Sequence, residues 1–104
     1  MSVTQTITTV SPSQEIKAFT LSDEETNKTI TESFLTLVSE YKTNELLATE
    51  SVVSDDELTR TNTRKFVDQT AFDAFMAEPN AIAFFEARNN YNIANGITST
   101  IVIT

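Results

Sequence analysis

Residues 58–104, LTRTNTRKFVDQTAFDAFMAEPNAIAFFEARNNYNIANGITSTIVIT, decide the fold, because they carry a strand, a capped and proline-jointed helix, a glycine stop and a final strand in unbroken succession. Leu58 to Val67 alternates Leu58, Arg60, Asn62, Arg64 and Phe66 with Thr59, Thr61, Thr63, Lys65 and Val67, the period of a strand. The charged and Asn positions cannot all be core, so one face of this strand is wet or meets a partner that satisfies it. Asp68 reads as an N-cap, and Ala71, Phe72, Phe75 and Met76 form the apolar stripe of the helix behind it. Pro79 pushes Glu78 out of helical space and suits the first position of a new helical segment. That segment carries Ile82, Phe85 and Phe84 inward, turns polar through Arg88, Asn89 and Asn90, and stops at Asn95-Gly96, the one glycine of the chain. Ile97 to Thr104 alternates as the last strand.

Working back toward the N-terminus, Leu46 to Val53 is strand-like, and the acidic run Ser54-Asp55-Asp56-Glu57 joins it to the next strand as a hairpin turn. Ile30, Phe34, Leu37, Val38 and Tyr41 recur at helical spacing, which predicts a helix ending near Lys42 with Thr43 and Asn44 as its stop. Ser22-Asp23-Glu24-Glu25 fits its start, with Ser22 as cap and Glu25 at the capping-box position. Gln14 to Thr20 reads as a short extended piece after the break at Pro12. Val3 to Val10 is a threonine-rich strand with Val3, Gln5, Ile7 and Thr9 on one face.

The order strand, helix, strand, strand, helix, strand predicts an α+β, ferredoxin-like split β-α-β (βαββαβ) in one domain over residues 1–104, with two helices on one face of an antiparallel sheet. The composition agrees: 39% apolar residues with seven Phe can supply a single, thin core. A net charge of −8, with the seven basic residues scattered along the chain, argues against nucleic acid as a partner. The apolar runs are too short for a membrane span, and the start of the chain has neither a basic nor an apolar leader segment, so a cytoplasmic or particle-associated protein is expected. With no His or Cys, and no Gly-rich loop, no transition metal, heme, flavin or dinucleotide cofactor is expected.

Residues 61–75, Thr-Asn-Thr-Arg-Lys-Phe-Val-Asp-Gln-Thr-Ala-Phe-Asp-Ala-Phe, resemble the strand-to-helix segment of the dimeric alpha/beta-barrel superfamily, which includes small antibiotic-biosynthesis-monooxygenase-like proteins. There a strand ends in an aromatic, a capping Asp or Ser follows, and Pro interrupts the helix about ten residues in. The resemblance covers roughly residues 46–104, whereas residues 1–22 depart from the superfamily's single leading strand. It implies a homodimer that closes a barrel through the open sheet face. It also implies cofactor-free oxygenation or heme degradation, carried in that superfamily by His, Asn and Trp. Two of these three types are absent here, leaving Asn62, Asn89, Asn90, Asn92 and Tyr91, and no catalytic residue is assigned. The whole chain is also similar to small uncharacterised proteins from marine environmental and cyanophage sequences, which implies no activity but admits an accessory or structural phage protein in the infected host cell.

Other chemistry is thin. Asp68 is explained by capping, Asp73, Glu78 and Glu86 by helix solvation, and Asp55-Asp56-Glu57 lacks the glycine and ligand spacing of a cation loop. The Asn-Asn-Tyr-Asn run at 89–92 reads as a fraying helix end. Arg60 and Arg64 share a strand face and either grip an anion or pair with acids across a subunit interface, the latter being the preferred reading. Phe34, Val38, Phe66, Phe72, Phe75, Met76 and Phe85 are the candidate lining of an apolar, fatty-acid-like ligand pocket between helices and sheet, and otherwise ordinary core.

Overall fold

The computed structural model describes all 104 residues. Four strands, β1 (Val3–Val10), β2 (Leu47–Val53), β3 (Thr59–Phe66) and β4 (Thr98–Ile103), form one antiparallel sheet in the order β2-β3-β1-β4. Three helices complete the chain: α1 (Glu25–Thr43), α2 (Gln69–Ala77) and α3 (Pro79–Ala94). This is the ferredoxin-like arrangement, with the second helical crossover divided in two. The division falls where the sequence puts it. Glu78 is extended at φ −66° and ψ 130°, closing α2 and opening α3, and Pro79 takes the first helical position, where its missing N–H leaves no bond unmade.

The register aligns Val3 with Phe66, Gln5 with Arg64, Ile7 with Asn62 and Thr9 with Arg60, so these side chains share one face. That face carries the buried Val3, Gln5, Ile7, Arg64 and Phe66 and meets the helices. The opposite face presents Thr4, Thr6 and Thr8 beside Thr61, Thr63, Thr98 and Thr100, with no layer of this chain upon it.

The core is aromatic. Phe75 and Phe66 are fully buried with ring centroids 5.2 Å apart, and Tyr41 and Phe34 meet Phe75 edge-on at 5.1 and 5.8 Å. Phe34 in turn stacks on Phe84 at 3.9 Å and 9°. Such pairs contribute roughly 0.5–1.5 kcal/mol each beyond their area. Asp68 caps α2 as expected, its carboxylate accepting from the Ala71 N–H at 2.8 Å. Helix α3 ends on Gly96 at φ 70°, with the Ile97 N–H bonded to the Asn92 carbonyl at 2.9 Å, the left-handed closure that favours glycine.

Three expectations are corrected. Gln14 to Thr20 is not extended: it is a strap that turns at Ser13 and tightens into a 3-10 turn at Phe19–Leu21, because Phe19 drops into the core against Phe84 and Tyr91. Ser22 therefore closes that turn instead of capping α1, which begins at Glu25. The Ser22 Oγ accepts from the Glu24 N–H and from Asn27 Nδ2. In α3 the inward row is Ala81, Phe84 and Asn92, with Phe85 half-buried and Ile82 half-exposed, since the helix rolls to seat Phe84 on Phe34.

Candidate functional site

One row of β3 sets the site. Along the helix-facing side, Phe66 is followed at two-residue steps by Arg64, Asn62 and Arg60, so the aromatic core stops after one residue and polar side chains continue in its place. Long polar side chains cannot fill the interlayer at core density, and a cavity of about 430 Å³ lies there. Its floor is Arg60, Asn62 and Arg64 of β3 with Thr49 and Ser51 of β2. Phe34, Leu35, Val38 and Lys42 of α1 and Phe84, Arg88 and Asn92 of α3 supply the walls, and the strap closes it with Ile16, Lys17 and Phe19.

The strap is pinned at three places. Gln14 Nε2 donates to the Asp56 carbonyl at 2.7 Å, the Tyr91 hydroxyl donates to the Lys17 carbonyl at 2.6 Å, and Lys17 pairs with Asp23 at 2.7 Å. The hydrogen bond and charge of Asp23 hold the exposed Lys17 ammonium above its ordinary range and lower the Asp23 carboxyl in return. The Asp55-Asp56-Glu57 run is the hairpin turn, where Asp56 accepts from Ser54 Oγ and the Leu58 N–H, bonds that lower its carboxyl.

Arg64 is the unusual residue. It is 7% exposed, and its one side-chain hydrogen bond runs from Nη1 to Gln5 Oε1 at 3.1 Å. No carboxylate pairs with it, since the ion pairs of the molecule are Lys17–Asp23 and Lys28–Glu25, both solvent-exposed. The guanidinium sits over the rings of Phe34 and Phe85 at 5.1 and 5.5 Å. Burial, with the neighbouring charge of Arg88 second, lowers its pKa to about 10, so it stays charged at neutral pH. Keeping it charged there costs roughly 3 kcal/mol of folding stability. Arg88, half-buried, lies over Phe84 and Phe85 at 5.4 and 5.3 Å and is likewise lowered by burial, with no ion pair or side-chain hydrogen bond.

Two readings of the sequence change here. Arg64 does not reach toward a subunit interface on the open sheet face, because its parity with the buried Phe66 puts it on the helix-facing side, where it is buried too. The 89–92 run does not fray: Asn92 is 5% exposed and Tyr91 ties the strap. Of the expected pocket lining, Phe34 and Val38 border the cavity. Phe85 stands beneath the two guanidiniums, and Phe66, Phe72, Phe75 and Met76 pack together toward the other end of the interlayer. Of the candidate Asn residues, Asn62 and Asn92 border the cavity, and Arg88 joins them without having been a candidate, although the spacing of four from Phe84 to Arg88 to Asn92 marks one helix face.

Charge is concentrated at this place. Five of the chain's seven basic residues, Lys17, Lys42, Arg60, Arg64 and Arg88, line the cavity, against two of its fifteen acids, Glu50 and Glu57. A molecule of net charge −8 thus gathers most of its cations around one partly open cavity. No cluster of three or more His, Cys, Asp or Glu is placed to hold a metal ion, and no helix is long and apolar enough to cross a membrane.

No family model and no curated protein matches the chain. Solved structures do. Protein SO0527 from Shewanella oneidensis superposes with a TM-score of 0.60 at 17% identity, over 99% of this chain and 88% of that one. SnoaB, a cofactor-independent oxygenase from Streptomyces nogalater, gives 0.62 at 13% identity over 99% and 90%. A structure described as an antibiotic biosynthesis monooxygenase gives 0.53 at 16% identity over 97% and 95%. At these identities the likeness is one of fold: the chain has the ferredoxin-like architecture of antibiotic-biosynthesis-monooxygenase-like proteins.

Proposed function

We propose that this protein binds a small, largely apolar molecule in the cavity between its helices and its sheet, and that it does so as a homodimer joined through the open threonine face. The observation that carries the reading is the cavity itself. It opens between helices and sheet where the aromatic core gives way to polar residues, and it is walled by Phe19, Phe34, Val38 and Phe84, with Phe19 carried on the pinned strap. Its volume of about 430 Å³ falls within the range of sites for small organic ligands. The dimer is supported by the row of Thr side chains with no covering layer, and by Val10, Val52 and Val102, all at least 42% exposed on that face.

The test is native mass spectrometry of the purified protein, followed by thermal shift against short fatty acids and naphthalene derivatives. A retained mass or a concentration-dependent rise in melting temperature is expected, on a particle of twice the chain mass. Absence of any shift across the panel counts against the cavity reading, and a monomer by light scattering at tens of micromolar counts against the dimer.

The second reading is cofactor-free oxygenation. It is favoured by the fold shared with SnoaB and by a cationic cavity able to stabilise a phenolate or enolate formed from a bound substrate. Oxygen consumption with a phenolic substrate, abolished by denaturing the protein, would establish it.

A further inference from the structure

The charge pattern of the cavity specifies one end of its ligand. We infer that Arg64 and Arg88 together form a receptor for the carboxylate of an amphipathic acid, whose apolar chain or ring lies against Phe34, Phe84 and Val38. This inference rests on the cavity being the ligand site.

Arg64 is more than nine-tenths buried and borders the cavity, yet only one of its nitrogens finds an acceptor in the protein. A guanidinium carries five N–H donors in a rigid planar fork, which matches the two oxygens of a carboxylate. Buried charges are ordinarily paired, and an unpaired one is costly. Here no acid of the chain comes within ion-pair distance, although the chain has fifteen to offer. Gln5 and the rings of Phe34 and Phe85 hold the group in position without neutralising it. Arg88 stands over the same Phe85 ring with no ion pair of its own, so two like charges are held close together with nothing between them to compensate. An anion supplied from outside satisfies both.

The apolar wall decides what kind of anion. Phe34 and Phe84 stack on each other beside the guanidiniums, and Leu35, Val38 and Ile97 continue the surface. Inorganic phosphate would satisfy the charges and leave this wall wet. A carboxylate on a hydrocarbon body satisfies both at once. Desolvation strengthens the pairing, since an interior ion pair is screened much less by salt and water than one on the surface.

The experiment compares matched probes that differ only at the head group: octanoate with octanol, and 2-naphthoate with 2-naphthalenemethanol, by calorimetric titration of the full chain at neutral pH. In the wild type each acid should bind at least about tenfold more tightly than its alcohol, the least a charge-assisted hydrogen bond supplies. Arg64→Met should erase that preference while leaving the alcohol's affinity in place and the melting temperature equal or higher. A residue needed only for packing would lower the melting temperature. Arg64→Lys, which keeps the charge and loses the fork, should retain part of the preference, and Arg88→Met should reduce it.

Equal binding of acid and alcohol to the wild type overturns the carboxylate receptor and leaves the cavity reading standing. No binding of any of the four overturns both. An acid preference that survives Arg64→Met overturns the assignment to Arg64.

Discussion

The layer between helices and sheet is built in two halves from one strand row, and they follow opposite rules. At the Phe66 end, Phe75, Tyr41, Leu47 and Ala71 close around a ring that water does not reach. One step along β3, at Arg64, the same layer encloses charge and a cavity. Backbone geometry is continuous across the two halves, since β1 pairs with β3 without a bulge from Val3 through Val10. The difference therefore lies in side chains alone. A close-packed half can hold the fold while its neighbour is left unfilled and electrostatically costly.

Cutting into the packed half should have the largest effect. Phe75→Ala removes a ring that is 0% exposed and touches Phe34, Tyr41 and Phe66, so denaturant unfolding should show a loss of about 3–5 kcal/mol. A loss under about 1 kcal/mol would mean that the dry half is not what stabilises the domain.

In the polar half the sign should reverse. Arg64→Met removes a buried charge and leaves Gln5 without its partner. The relief of roughly 3 kcal/mol for the charge is set against roughly 1–3 kcal/mol for the stranded amide. Chemical denaturation at neutral pH should give anything from no loss to a gain of about 2 kcal/mol, and a clear destabilisation would show that Arg64 is structural.

The smallest change concerns the end of α1, beside the packed half. There Glu45 holds the left-handed position at φ 60°, with the Leu46 N–H bonded to the Tyr41 carbonyl and the Glu45 N–H to that of Lys42. Helix α3 closes by the same pattern on Gly96, where the conformation is free of side-chain strain. Glu45→Gly should therefore raise stability by up to about 1 kcal/mol in the same assay. No change would mean that the Glu side chain offsets the strain locally.

How much of this was legible varies with the kind of signal. Alternation and helical spacing placed every strand and helix to within a few residues, and Asp68, Pro79 and Gly96 marked their joints, because caps and breakers act through their own backbone. The strap was misread because Phe19 is placed by the rings of Phe84 and Tyr91, far along the chain. Arg64 was partly legible: its parity with Phe66 already put it on the core side, a consequence masked by the expectation that charge faces water.

By itself the sequence determined the order of elements, the α+β class and the aromatic composition of the core, since each follows from periodicity and local backbone preference over a few residues. Only the tertiary structure decided that Lys17, Lys42, Arg60, Arg64 and Arg88, scattered over some seventy positions, meet around one cavity. Spacing along a chain carries no information about which strand lies beside which helix. The β2-β3-β1-β4 order, the Val3–Phe66 register and the burial of Phe19 supply it, and they turn an acidic protein's few cations into a single site.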